Sequence, residues 1–374
     1  MKKILSILLF LTIILFSKTS YASNTEVLEN QSNELNIDKF ISDTEQIVNQ
    51  DIDFGEVFNE SIKGKSSSNL IFKTIGTVLG KELRQALNMV TSILIIILLH
   101  GILKSISENL GNEQTGKIGY FIQLILLITV LVKVYTQIIE VVKATLGSIS
   151  NFIYTLIPFF MSVIVSTGNI TAATSIQTII LVATNIITSF INNIVIPIII
   201  IATAIGIISN ISDDIKMDKI SKYMKSCIIW LLCISLTIFT CILSVESSLG
   251  QGVDQMTTKT TKTAISTFVP VVGKILGDAV ESVLGCTNLI KNAIGAVGVI
   301  ALIIIGILPL IRIGITMMFF YLAGGLAELV ADKKIVCVLE QMGDSCKVLF
   351  AALASVTVML IIGITISMKI SMPI

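Results

Sequence analysis

Charge is scarce in this chain. Only 14% of its 374 residues are Asp, Glu, Lys or Arg, against roughly 25% in an ordinary soluble domain, and mean hydropathy reaches +0.91. The 26 basic and 25 acidic side chains nearly cancel, leaving +1, so no global field draws nucleic acid or acidic substrates. Histidine occurs once, at His100, where it ends an apolar run just before Gly101. Every Ser-His-Asp or Cys-His constellation would need that one residue, which reads better as a polar group at a span end. The six cysteines, Cys227, Cys233, Cys241, Cys286, Cys337 and Cys346, form no CxxC pair and no metal-ligand spacing, so they read as packing residues. The stretch "GTVLGKE" at 76–82 has three residues between its glycines and Glu82 where a phosphate loop needs Ser or Thr. The sequence therefore points away from an enzyme, with no catalytic residue, no metal site and no cofactor.

Long apolar runs are what the chain has instead. The first 23 residues, "MKKILSILLFLTIILFSKTSYAS", place Lys2 and Lys3 before a largely apolar run from Ile4 to Phe16 and then small residues at Ser20 and Ala22. That is the pattern of a secretory signal over 1–22. It is too short for a span of about 20 residues. Residues 23–87 read as a polar extracytoplasmic region ending in an amphipathic helix. Runs able to cross a membrane follow at 88–103, 118–142, 149–165, 176–208, 227–245, 293–330 and 348–368. The 33 residues of 176–208 and the 38 of 293–330 exceed one crossing, so each is expected to be a hairpin or a broken helix. The fold class is thus an all-α, polytopic, helical integral membrane protein of seven to nine spans embedded in membrane lipid. Lys216, Lys219, Lys222 and Lys225 make 210–226 the densest lysine cluster near a span end, which places that loop in the cytoplasm. With the mature N-terminus outside, an odd number of crossings must precede it.

Four of the five prolines suggest an internal repeat. Pro158 and Pro197 are 39 residues apart, as are Pro270 and Pro309, and "TLIPFFMSVIV" from Thr155 lies over "TFVPVVGKILG" from Thr267. "SCIIWLL" from Ser226 likewise lies over "SCKVLFA" from Ser345. The expected organisation is first membrane helices at 88–148, repeat copy one at 149–245, an amphipathic segment at 246–292 that overlaps the start of copy two, and a C-terminal membrane region at 293–374. An odd number of crossings per unit would invert the second copy.

Charges at membrane depth are costly, about 2.5 to 3.5 kcal/mol each by insertion scales, and point to function. Lys133 interrupts an apolar run, with Gln137 one turn on and Glu140 two turns on along one helical face. Arg312 follows Pro309 and is expected at the tip of a hairpin within 293–330.

The most distinctive stretch is 252–283, "GVDQMTTKTTKTAISTFVPVVGKILGDAVESV". Its second half puts Val272, Ile275, Leu276, Ala279, Val280, Val283 and Leu284 on one helical face and Lys274, Gly277, Asp278 and Glu281 on the other. Gly252, Asp254, Lys259, Lys262 and Pro270, with Lys274, Asp278 and Glu281, are candidate partner-contact residues. Together with "LIKNAIG" at 289–295, this stretch resembles the stage III sporulation protein AE family of endospore-forming bacteria. The resemblance implies a polytopic membrane subunit of a secretion-like transenvelope channel complex between mother cell and forespore, required for late forespore development. It also implies location in the mother-cell (outer forespore) membrane, the other stage III A operon proteins as partners, indirect contact with stage II sporulation protein Q, and no enzymatic activity. The competing reading from the residues alone is a stand-alone secondary transporter built on the repeat.

Overall fold

A computed structural model describes residues 35–48, 52–63, 113–211, 217–268, 272–329 and 331–369, with a few isolated positions between them; for 113–117, Tyr120 and 249–284 it describes the backbone alone. The signal-like residues 1–22, the run 88–103 apart from Thr91, Ile95, Leu99 and Ile102, His100, the "GTVLGKE" stretch apart from Gly80, Lys216 and Pro270 lie outside the described residues. The described residues are helical, with no strand among them. In chain order the helices are α1 (Ile37–Val48), α2 (Phe54–Ile62), α3 (Glu113–Ser166), α4 (Ile170–Phe190), α5 (Ile196–Ile211), α6 (Asp218–Phe268), α7 (Val272–Ala327) and α8 (Lys333–Met368).

Five stretches are long and apolar enough to cross a membrane: Phe121–Ser166, Ile170–Ile211, Asp218–Ser248, Gly285–Ala327 and Lys333–Met368. They hold 46, 42, 31, 43 and 36 residues, or about 46 to 69 Å at ~1.5 Å per residue, against a hydrocarbon core of about 30 Å. Three sequence expectations are revised here. The runs 118–142 and 149–165 are one helix, because the intervening "KATLGS" holds no residue that stops a helix. The runs 176–208 and 293–330 are not hairpins; each is a single rod.

The prolines explain why the rods survive. Pro197 has no N–H to donate to the residue four back, and the chain answers with one turn of π-helix, Ile191–Val195, whose wider ring lets the Ile196 N–H reach the Ile191 carbonyl. Joining α4 to α5, this turn preserves the helix direction. Pro158 and Pro309 sit inside α3 and α7 without ending them. The one tight reversal between α3 and α4 is made by Thr167, Gly168 and Asn169: Gly168 takes φ 86°, where a side chain would be strained, and Asn169 Nδ2 donates to Thr167 Oγ1 at 2.9 Å.

These hairpins fix the relative directions. Helix α3 runs antiparallel to α4, with Ser150 and Thr188 hydroxyls 3.1 Å apart, and to α7, where Gly298 lies against Leu156. Helix α8 is antiparallel to α7, from Gly324 beside Glu340 to Gly295 beside Met368. Glycines at these crossings let the backbones approach, as in other membrane helix pairs. The rods α4–α5 and α7 therefore point one way, α6 and α8 the other. The two proposed repeat copies thus share one direction, and their matched residues do not share an environment: Ser345 is buried whereas Ser226 is exposed.

Helices α1 and α2 cap one end of the bundle. Ile37, Phe40, Thr44 and Val48 recur at helical spacing on the buried side of α1, and the Phe40 ring stacks on Phe159 of α3 at 4.7 Å with planes 5° apart, an arrangement worth about 1 kcal/mol beyond burial. The Glu45 carboxylate accepts from the Phe54 N–H at 3.1 Å and the Asp53 carboxylate from the Glu56 N–H at 2.9 Å, which fixes the start of α2. Phe54, Val57 and Phe58 are then buried, and α2 packs on α7. The opposite end is lysine-rich: Lys219, Lys222, Lys333 and Lys334 cluster there, and Lys334 Nζ donates to the Ile211 carbonyl at the end of α5 at 3.1 Å.

Candidate functional site

Toward the lysine-rich end, four helices meet through polar groups. Gln341 of α8 is at the centre, 5% exposed. Its Nε2 donates to Ser221 Oγ of α6 at 2.6 Å and to the Ala202 carbonyl of α5 at 3.4 Å, and Ser221 Oγ donates to the same carbonyl at 2.7 Å. The Gln341 backbone carbonyl accepts from Lys225 Nζ at 3.1 Å and from Ser345 Oγ at 2.8 Å. Ser345 and Thr203 hydroxyls are 2.7 Å apart, and Thr203 is 3.2 Å from the Tyr135 hydroxyl of α3. Hydroxyl protons can thus run in one direction from Tyr135 through Thr203 and Ser345 to the Gln341 carbonyl.

Local sequence makes this possible. Gly206, one turn beyond Ala202 on α5, faces the Gln341 side chain so closely that any β-carbon there would overlap it. Lys225 is 5% exposed; the Asp344 carboxylate, which accepts from the Tyr321 hydroxyl at 2.7 Å, is the acidic group whose field reaches it. A buried ammonium needs both a hydrogen bond and a countercharge. The Gln341 carbonyl supplies the hydrogen bond, and the junction ties α3, α5, α6 and α8 into one unit.

The residues singled out in the sequence fall in other places. Gly252, Asp254, Lys259 and Lys262 lie on the last five turns of α6, beyond the apolar stretch that ends at Ser248, and Lys274, Asp278 and Glu281 lie on the first turns of α7, before Gly285. They belong to two helical arms on the α1–α2 side, joined through 269–271, and α7 runs unbroken from its arm into the bundle. Lys133 and Glu140 are exposed on the outward side of α3, with Gln137 between them. Arg312 is half-buried within continuous α7, not at a hairpin tip; its carbonyl accepts from Thr316 Oγ1 at 2.9 Å.

Two buried lysines escaped the sequence reading. Lys225 counted only as one of a run of loop lysines. Its spacing from Ser221, one helical turn, is the signal that would have placed both on one face. Lys291, within "LIKNAIG", is 1% exposed on α7, among buried Cys286, Thr287 and Ile290. All six cysteines are free thiols, and no group of three or more His, Cys, Asp or Glu side chains able to hold a metal ion occurs among the described residues.

The stage III sporulation protein AE family model matches residues 52–371. The chain is also similar to stage III sporulation protein AE of Bacillus subtilis (strain 168), 27% identical over 275 residues, covering 73% of this chain and 69% of the relative. No solved structure matches. A match across five crossing-length helices, both arms and the polar junction covers most of the chain: it belongs to the stage III sporulation protein AE family.

Proposed function

We propose that this protein is a non-enzymatic, multi-pass subunit of a secretion-like channel complex in the mother-cell membrane around the forespore, needed for late forespore development. Family membership carries the sporulation part. The structure supports the rest through the arms: two helical extensions leave the membrane bundle on one side and hold every candidate contact residue except Pro270. The first arm, "GQGVDQMTTKTTKTAISTF" at 250–268, is rich in Thr and Gly, both weak helix formers. A helix of that composition is marginal in water on its own, so a neighbouring protein is the natural support. The other stage III A operon proteins are the direct candidates, with stage II sporulation protein Q reached through them.

Orientation fits this scheme. With a cleaved signal, α1 and α2 and both arms lie outside the mother-cell cytoplasm, and the run 88–103, α3 and α4–α5 supply the three crossings that bring the lysine-rich end into the cytoplasm, as positive-inside bias requires. Counted this way, the chain makes six crossings. The proline-matched segments, if duplicated, form a parallel rather than an inverted repeat, a geometry that transporters also use. The stand-alone transporter remains the competing function; coupled uptake of a solute by the purified protein alone in liposomes would favour it.

The test is genetic and cytological. Deletion is expected to arrest sporulation after engulfment while vegetative growth continues. A deletion strain that completes normal, heat-resistant spores contradicts the proposal.

A further inference from the structure

The outward face of α3 is polar where a lipid-facing helix should be apolar. From Thr129 to Asn151 it presents Thr129, Lys133, Gln137, Glu140, Lys143, Gly147 and Asn151 at successive spacings of three or four residues, all exposed apart from half-buried Gly147; exposed Ile122 and Ile125 precede them on the same stripe and Tyr154 follows. A β-carbon built at Gly147 would meet nothing within 4 Å. Helix α4 continues the same surface. Thr174, Thr178, Asn185 and Ser189 are exposed on its flank next to α3, with exposed Val182 among them, where Thr188 meets Ser150, and Asn193 follows on the π-turn.

This is not how the chain meets lipid elsewhere. The outward face of α6 carries exposed Ile220, Trp230, Leu231, Ile238, Ile242 and Val245, and α7 carries Met318, Leu322 and Leu326. Nor does the polar face sit at a membrane edge. Tyr135 is level with Lys225 through Thr203 and Ser345, and α3 and α6 run in the same direction. Stepping eight residues, about 12 Å, along each from that level brings Lys143 level with Cys233, the middle of the Asp218–Ser248 stretch. Glu140, Lys143, Asn151, Asn185 and Ser189 therefore lie at bilayer depth. Ionised and amide groups at that depth border water or protein rather than lipid.

We propose that the α3–α4 face is the wall of a water-filled passage through the membrane, closed by further copies of this chain that turn the same face inward. The inference rests on the reading of the protein as a channel subunit and names the surface that would conduct. Water is the occupant because the face carries Glu140, Lys143 and Asn151 at that depth, with Lys133 and Gln137 beside them, and is open at Gly147. The chain's own run 88–103, "MVTSILIIILLHGIL" after Asn88, is too apolar to satisfy it. Copies are the closing wall because the face carries both signs: around an axis parallel to the membrane normal, Glu140 of one copy and Lys143 of the next differ in height by only about 4.5 Å, and closed rotational assemblies repeat one interface.

Asn151→Cys and Asn185→Cys test this in membranes, with Ser42→Cys, exposed on α1, as the water-facing reference and native Cys233 and Cys241 on the outward side of α6 as the lipid-facing one. Each protein is treated with a charged, membrane-impermeant thiol reagent or with a lipid-soluble maleimide, and modification is read residue by residue by mass spectrometry. The expected result is charged-reagent labelling of both variants within about tenfold of Ser42→Cys, as water-borne thiolate chemistry requires, with Cys233 and Cys241 labelled by the maleimide alone. A short bis-maleimide should also link two copies through Asn151→Cys. Variants labelled only by the lipid-soluble reagent, or by neither, overturn the passage; labelling by the charged reagent without a cross-linked dimer overturns closure by like copies. Because the assay needs no spores, its failure leaves the sporulation role intact, and a normal spore yield on deletion would not explain it away.

Discussion

Gly206 of α5 lies directly against the side-chain amide of Gln341 on α8, so closely that the absence of a β-carbon is what allows the two helices to meet. That contact brings the amide to Ser221 and to the Ala202 carbonyl. Gly206→Ala should therefore destabilise the purified protein by about 1–3 kcal/mol, the usual cost of overpacking, seen as a lower Tm in detergent. Gln341→Ala should lose its hydrogen bonds but make room, so the double variant should be less destabilised than the two single effects summed. Additive effects would mean that the contact is not what sets the spacing of α5 and α8.

Lys225 and its surroundings separate charge from packing. Lys225→Met keeps the apolar stem and leaves the Gln341 carbonyl its bond from Ser345, while Asp344 keeps the Tyr321 hydroxyl. Its stability should stay within about 1 kcal/mol of wild type, since replacing a buried ion by an apolar group of similar size is often near neutral. Lys225→Glu puts a carboxylate against a carbonyl and within the field of Asp344, and should not accumulate in the membrane. Equal accumulation of both variants would show that the site is wetter and looser than its 5% exposure indicates.

The Phe40–Phe159 stack anchors the α1–α2 cap to the bundle. Phe40→Ala should cost about 3 kcal/mol locally, as for other buried Phe truncations. Limited proteolysis should then cut within 37–63 at least tenfold faster, while fragments from α7 and α8 stay protected, because local opening need not unfold the bundle. Unchanged cleavage would mean that α2 alone holds the cap.

Much of the architecture is written in hydropathy, and what is not written there is instructive. The apolar runs locate the rods, but run length misjudges them: 176–208 and 293–330 are long enough to turn back, and Arg312 beside Pro309 reads as a hairpin tip. A proline costs one hydrogen bond, and a single π-turn at Ile191–Val195 absorbs that cost without reversing the chain. Composition also recorded Lys225 as a loop charge, because a count of lysines is blind to which of them faces Gln341. Lys133, Gln137 and Glu140 were legible as one face; that this face points away from the bundle follows only from the packing of Leu131, Tyr135 and Ile138 on the other side.

The arms are where the account is most exposed to test. In a deletion strain, wild-type protein should restore heat-resistant spores, whereas the triple variant Lys274→Ala, Asp278→Ala, Glu281→Ala, present in the membrane at wild-type level, should restore fewer than about one in ten, as expected when a few anchor residues carry most of a docking surface. Full restoration of spores by that variant would contradict the claim that the α7 arm is the working surface through which this membrane subunit serves the developing spore.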